Sequence, residues 1–279
     1  MADVKKKLGI IGFGNMGSAI ALGARVLFEV SVFDKDKQKL ADSSGLKTET
    51  LLADLVSKAD VVLLAVKPQD FDTLLNEIKP LIRGKLVISI AAGITTGYIE
   101  KILAGARVIR VMPNMAVKIS ASATGLVKGR QVTDEDLDFA RELFNILGKV
   151  WPVEEEMIDS LTAISGSGPA YIFYDIEINK LDPLNVPINR KNEYVKRLKQ
   201  AAVDLGFDSR MALELAVTTT ASSVQLLIQT GNSPLELRKM ITSAGGTTEA
   251  ALKVLMGNGS WSEAAQAAKK RAQELSKRE

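Results

Sequence analysis

A chain of 279 residues, 46% apolar and 25% charged, can bury the cores of two ordinary domains, and its formal net charge of +3 is too small to argue for a nucleic-acid partner. It has neither Cys nor His, which excludes disulfides, thiolate nucleophiles, zinc–thiolate and His-ligated metal sites, Ser-His-Asp triads and imidazole acid–base catalysis. Chemistry is left to carboxylates, lysines, hydroxyls, backbone amides or a cofactor, and no metal is expected.

From residue 8 to about 152 short apolar runs alternate with amphipathic stretches, the rhythm of repeated strand–helix units. Strands are expected at Leu8–Ile11, Val30–Phe33, Val61–Val66, Leu86–Ile90, Val108–Met112 and Gly125–Lys128. Several are apolar at consecutive positions, as parallel strands covered on both faces are. The longest such runs, at 59–66 and 86–94, are about nine residues, less than half of the roughly 20 that span a bilayer. The opening lysines lead into a glycine-rich loop without a cleavage pattern, so a soluble, cytoplasmic protein without a membrane partner is expected.

After the first strand comes Gly12-Phe13-Gly14-Asn15-Met16-Gly17. A G-x-G-x-x-G alone is a weak signal. Here a strand precedes it, a helix with the small residues Ser18, Ala19 and Ala21 follows, and an acid, Asp34, ends the next strand. Gly12 permits the tight turn, Gly14 lets backbone approach a pyrophosphate, and Gly17 lets helix and strand pack closely. The helix N-terminus adds unpaired amides and partial positive charge. The pattern predicts a dinucleotide cofactor, NADH or NADPH. Asp34 favours NADH, because its carboxylate would accept hydrogen bonds from the ribose hydroxyls and repel a 2′-phosphate, with Lys35 and Lys37 softening that repulsion. Ala65-Val66-Lys67-Pro68 follows a later strand at the point where a doubly wound sheet opens its crevice, and these residues are candidates to line the cofactor.

After Trp151-Pro152 the strand rhythm ends and helical sequence with polar loops takes over. The fold class is therefore α/β, an N-terminal Rossmann doubly wound sheet (1–153) followed by an all-helical domain (154–279). The apolar stretch from Ala212 to Ile228 suits a buried or inter-subunit helix. Ser165-Gly166-Ser167-Gly168-Pro169 breaks the pattern, with Pro169 placed to start a helix. A serine hydrolase is excluded by the missing His and the absence of G-x-S-x-G. Further on, "SAGGTTEA" at 243–250 sets two glycines into helix-forming sequence. Each costs about 1 kcal/mol relative to Ala in a helix, so the backbone there either turns at a simple helix junction or closely approaches a ligand.

Together, "LGIIGFGNMGSAI", "ADVVLLAVKPQ", "SIAAGITTGYIE", "RVMPN", "LTAISGSGPAYIF" and "ITSAGGTTEAAL" resemble the pyrroline-5-carboxylate reductases in order and spacing, over almost the entire chain. The resemblance implies NAD(P)H-dependent reduction of 1-pyrroline-5-carboxylate to proline, and a helical domain that forms a homodimer or a ring of dimers through interlaced helices. It implies a cofactor held by Gly12, Phe13, Gly14, Asn15, Met16, Gly17, Asp34, Ala65, Val66, Lys67, Pro68, Ala91, Ala92 and Asn114. It gives the substrate carboxylate to Ser243 and the backbone of Gly245, Gly246 and Thr247, and the ring nitrogen to Thr248 as the catalytic residue.

Several positions depart from the family pattern. Met115-Ala116 stand where Thr-Pro is usual, Ala244 where Pro is, and Lys239 where an acid is common. Between Ile178 and about Lys196 lies an insertion relative to the family, carrying Pro183 and Pro187, which cannot sit in an unbroken helix. These departures leave open the reduction of another cyclic imine or small carboxylate, and a non-catalytic dinucleotide sensor that would need the glycine loop but not Ser243 or Thr248. A 2-hydroxyacid dehydrogenase, whose acid is a helix lysine, ranks below them, since only Lys180 follows "SGSGP" closely and it opens the interrupted stretch.

Overall fold

The apolar runs of the first half become strands with both faces covered. In a computed structural model, which describes residues 5–276, β1 (Lys7–Ile11), β4 (Val61–Leu64), β5 (Leu86–Ser89) and β6 (Arg107–Met112) are buried over almost their whole length. β2 (Glu29–Phe33), β3 (Lys47–Thr48), β7 (Ser122–Lys128) and β8 (Gly148–Pro152) complete an eight-stranded sheet in the order β3-β2-β1-β4-β5-β6-β7-β8. The pairs from β3 to β6 are parallel, with Ile11 in register with Phe33 on one side and Leu64 on the other. All six expected strands form, within a few residues of their expected bounds. The two others were not expected: β3 is a pair of exposed polar residues, and β8 ends the alternating stretch at Pro152.

The helices of this unit are α1 (Asn15–Ala24), α2 (Leu52–Lys58), α3 (Phe71–Ile78), α4 (Thr96–Ile102) and α5 (Asp134–Asn145). α3 buries Phe71, Leu74, Leu75 and Ile78, the i, i+3, i+4, i+7 stripe of an amphipathic helix. With α2 and the strands they form a core cluster that includes Ile11, Val62, Leu64 and Val87. α5 starts in a capping box: the Asp136 amide donates to Thr133 Oγ1 (3.2 Å), and the Asp136 carboxylate accepts from the Thr133 amide (3.0 Å) and hydroxyl (2.9 Å). The same carboxylate accepts from Arg107 Nε at 2.7 Å.

The chain divides into two compact units, and the division is not a single cut. The first unit comprises residues up to Met112 together with Leu126–Glu155, and the second comprises Pro113–Gly125 with the residues from Glu156 onward. The second unit is helical: α6 (Ile158–Leu161), α7 (Gly168–Ile178), α8 (Ile188–Asp204), α9 (Ser209–Thr230), α10 (Pro234–Ile241), α11 (Thr247–Met256) and α12 (Trp261–Ser276). α7 is buried nearly all round and forms the centre of this unit. Trp261 meets Tyr171 edge-on (5.8 Å) and stacks on Tyr194 (5.7 Å), so α7, α8 and α12 share one aromatic joint. α9 is long and apolar enough to cross a membrane by length and composition, but 56% of that window is buried against its own unit, as a core helix is.

The interruption expected at 178–196 is confined to 179–187. α7 stops at Ile178, Lys180 adopts φ +51°, and Pro187 precedes the first turn of α8. The charged segment after Pro187 is helical and docks on α7: the buried Asp175 carboxylate accepts from the Tyr194 hydroxyl (2.8 Å) and from Arg190.

Asp136 carries a pH-dependent share of the first unit's stability. Burial would raise its carboxyl pKa, but the Arg107 guanidinium and the Thr133 donors outweigh burial and hold it below the usual carboxylate value. Because the folded value lies below the unfolded value of about 3.9, the stabilisation is complete above that pH and drains away as pH falls through the folded value. Asp136→Asn is expected to lower the unfolding free energy at pH 7 by about 1–3 kcal/mol. Urea titrations at pH 7 and below pH 4 should show that gap closing in acid.

Candidate active site

In the first unit the glycine loop follows directly from β1. Gly12 sits at φ +101°, donates its amide to Phe33 O (2.8 Å), and lies so close to Ala65 that a Cβ on it would come within 2.6 Å of the Ala65 carbonyl oxygen. A Cβ on Gly17 would fall 2.0 Å from the Gly12 carbonyl oxygen. Gly14 is different: it caps α1 in an extended conformation, and a Cβ there would meet nothing within 4 Å. The first helical bond runs from Ser18 N to Gly14 O (2.9 Å), so the amides of Asn15, Met16 and Gly17 precede the helical ladder. A backbone-lined cradle, open at Gly14 and ending on helix amides, fits a pyrophosphate.

Asp34, 8% exposed at the end of β2, orders this loop. Its Oδ2 accepts the Phe13 amide at 2.7 Å, and its Oδ1 accepts the Asp36 amide at 2.9 Å with Lys39 Nζ at 3.5 Å. Lys35 is drawn away to Asp70 (2.6 Å), whose hydrogen bond and charge raise the lysine's pKa. Ala65 is half-buried and donates its amide to Ile11 O (2.8 Å), Val66 packs on the core, Lys67 is exposed, and Pro68 begins a short helical turn. After β5, Ala91 is buried with its amide on Ser89 Oγ (3.3 Å), Ala92 is exposed, and Gly93 turns the chain at φ +74°. All these residues lie just past the carboxyl ends of β1, β2, β4 and β5, the edge at which open parallel sheets take ligands. The Ala91–Thr95 turn is anchored by Glu155, whose carboxylate accepts the Thr96 amide (2.9 Å) and hydroxyl (2.6 Å) and the buried Arg110 guanidinium.

In the second unit three motifs meet. Asn114 is buried and donates its side-chain Nδ2 to Ser165 O at 2.9 Å, while its Oδ1 accepts from Ala116 N (3.2 Å). Thr162–Gly166 forms a turn of π-helix that ends on Ser167, whose amide bonds back to Thr162 O (2.9 Å). Ser167 is fully buried and its hydroxyl reaches both Thr247 Oγ1 (3.2 Å) and Thr248 Oγ1 (3.1 Å). Next along the chain, Tyr171 donates to Ala163 O at 3.0 Å, and burial pushes its phenol pKa well up, against a smaller lowering by Ser167, so it stays protonated at neutral pH.

The Ser243–Thr248 loop runs into α11. Ser243, Ala244 and Gly245 are exposed, Gly246 and Thr248 are buried, and Thr247 lies between. Gly245 takes φ +67°, and a Cβ on Gly246 would come within 2.2 Å of Ser243 Oγ. The first helical bond of α11 runs from Ala250 N to Gly246 O (3.2 Å), which leaves the amides of Thr247 and Thr248 ahead of the ladder. The Gly245 amide donates to the Glu249 carboxylate, which this bond and Lys253 hold below the usual pKa, and the Gly245 carbonyl accepts Arg271 Nε (2.7 Å). The Gly246 amide donates to Ser243 O (3.0 Å). Of the departures, Lys239 and Ala244 are exposed and Ala116 is buried.

The sequence therefore pointed to the Gly12–Gly17 loop and the Ser243–Thr248 loop, and the structure adds Ser167, Glu155 and Glu249. Ser167 carried a signal in its unusual Ser-Gly-Ser-Gly-Pro run. Glu155 and Glu249 carried none, because each acts through a contact that their neighbours in sequence do not announce.

Two family models match the chain: "NADP oxidoreductase coenzyme F420-dependent" over residues 7–93, and "Pyrroline-5-carboxylate reductase dimerisation" over residues 193–275. Among curated relatives, a pyrroline-5-carboxylate reductase of Methanosarcina acetivorans is 37% identical over 253 residues, 87% of each chain. Among solved structures, a pyrroline-5-carboxylate reductase from Coxiella burnetii superposes with a TM-score of 0.66 at 32% identity, covering 99% of this chain and 100% of that one. The Plasmodium falciparum pyrroline carboxylate reductase with NADP bound superposes at 0.63 with 26% identity, covering 99% of both chains.

The two glycines that look alike in sequence should separate by experiment. Gly14→Ala is expected to leave the melting temperature within about 2 °C, since its Cβ has open space, yet to weaken NADH binding at least tenfold by intruding on the pyrophosphate's approach. Gly17→Ala should lower the melting temperature by several degrees, because the Gly12 backbone must shift. Thermal melts and fluorescence titration with NADH check both.

Proposed function

We propose, from the premise that this chain belongs to the pyrroline-5-carboxylate reductase family, that it reduces 1-pyrroline-5-carboxylate to L-proline with a nicotinamide dinucleotide. The observation that carries the reading is Thr248: a buried hydroxyl on the first turn of α11, beside helix-start amides, in a chain without any imidazole or thiol. The substrate carboxylate is held by the Ser243 hydroxyl and the first-turn amides at Thr247 and Thr248, where the helix dipole favours negative charge. Gly245 and Gly246 contribute the loop's shape, since their own amides are engaged by Glu249 and Ser243. The Thr248 hydroxyl meets the ring nitrogen.

A bound nicotinamide would supply hydride for the imine carbon. An imine that arrives protonated already carries its N–H and needs no further proton to become a secondary amine. No strong acid is required for that step, so a hydroxyl that orients the nitrogen suffices, and placement supplies several kcal/mol of barrier lowering. Glycine-loop amides and Asn15-Met16-Gly17 would hold the pyrophosphate, and Asp34, Ala65–Pro68, Ala91 and Ala92 would line the rest of the cofactor. Asp34, a buried carboxylate bonded to the Phe13 amide, favours NADH by disfavouring a 2′-phosphate nearby. The helical unit builds a homodimer, with exposed Leu213, Val217 and Ile228 on α9 available to a second copy.

Oxidation of NADH and NADPH followed by absorbance tests the reading. Purified protein should oxidise NADH only when 1-pyrroline-5-carboxylate is added, with kcat/KM for NADH at least tenfold above that for NADPH. Tight cofactor binding without substrate-dependent oxidation would contradict the activity, and an NADPH preference would contradict the role given to Asp34.

A further inference from the structure

The Ser-Gly-Ser-Gly-Pro run has no part in the reaction as described so far, yet the structure brings it against the threonines that do. Ser167 is fully buried, fixed at its amide by the π-turn bond to Thr162 O (2.9 Å), and backed by Gly168, where a Cβ would already crowd Leu198 at 3.1 Å and Thr219 at 3.3 Å. The backbone that carries its hydroxyl is thus held in place, and π-turns are frequent at functional sites. That hydroxyl lies between Thr247 Oγ1 (3.2 Å) and Thr248 Oγ1 (3.1 Å).

A hydroxyl has one proton to give and two lone pairs to receive. A row of three therefore has two head-to-tail directions, beside a third arrangement in which both threonines donate to Ser167 and its own proton turns to the neighbouring Tyr171 phenol, which again leaves Thr248 as an acceptor. When Thr248 donates to Ser167 and Ser167 to Thr247, the Thr248 oxygen keeps both lone pairs, ready to accept an N–H from a protonated imine. When the row is reversed, Thr248 presents its proton instead, ready for a neutral nitrogen. Without Ser167, Thr248 has no partner in the row to fix either direction.

We infer that Ser167 is a positioning residue for this reaction: it holds the Thr248 hydroxyl in place and sets which way that hydroxyl faces the substrate nitrogen. This inference rests on the role proposed for Thr248.

A double-mutant cycle separates the two ideas: wild type, Ser167→Ala, Thr248→Ala and the double variant, each measured for kcat at saturating 1-pyrroline-5-carboxylate and NADH, for NADH affinity, and for melting temperature. Ser167→Ala should lower kcat about tenfold, the worth of one well-aligned hydrogen bond, without changing NADH affinity, and the double variant should be no slower than Thr248→Ala alone. Losses that multiply in the double variant, or an unchanged kcat in Ser167→Ala, would overturn the inference while leaving the role of Thr248 standing. Full turnover by Thr248→Ala would overturn that role and the inference with it. If Ser167→Ala does not fold, Ser167→Cys, which fills the same space with a weak donor, takes its place in the cycle.

Discussion

Both candidate binding loops of this chain depend on backbone passing through space that a Cβ would occupy. At Gly12 the neighbour is the Ala65 carbonyl, at Gly17 it is the Gly12 carbonyl, and at Gly246 it is the Ser243 hydroxyl and carbonyl. Carbonyl groups held in a sheet or a helix start cannot rotate aside as the end of a long side chain can. In the first unit the amides that this leaves free of the helical ladder, strong donors that need no side chain, sit at the start of α1, and in the second at the start of α11, so both loops share a geometry suited to anions.

What the second loop adds is a set of neutral hydroxyls in a dry setting. Thr248 is 5% exposed, and Ser167 fully buried. A buried ion there would pay a heavy desolvation cost, whereas a hydroxyl that finds a partner pays little. Reduction of a protonated imine asks for orientation more than for proton transfer, which matches a site without His or Cys. The charged groups near the loop serve its shape: Glu249 and Arg271 grip the amide and carbonyl of Gly245 and so hold its left-handed turn.

Much of this was legible in the order of residues. Parallel strands covered on both faces must be apolar without interruption, so β1, β4, β5 and β6 announce themselves, as does the glycine loop between a strand and a helix. β3 does not, because an edge strand of two exposed polar residues has no apolar pattern to show. The stretch after Ile178 was readable only as a broken helix. Its prolines mark the break, but whether the charged run beyond Pro187 resumes as a helix depends on Asp175 and Trp261, partners distant in sequence that satisfy Arg190 and Tyr194. Likewise the resemblance points to Thr248, but the hydroxyl row exists only because a π-turn far upstream in sequence delivers Ser167 to α11.

The central claim is direct hydride delivery to the imine carbon, and isotope transfer tests it most directly. With NADH carrying deuterium at C4 on the transferring face, the account predicts proline bearing a single deuterium on the former imine carbon, read by mass spectrometry and NMR. Unlabelled proline, or consumption of labelled NADH with no proline formed, would contradict it.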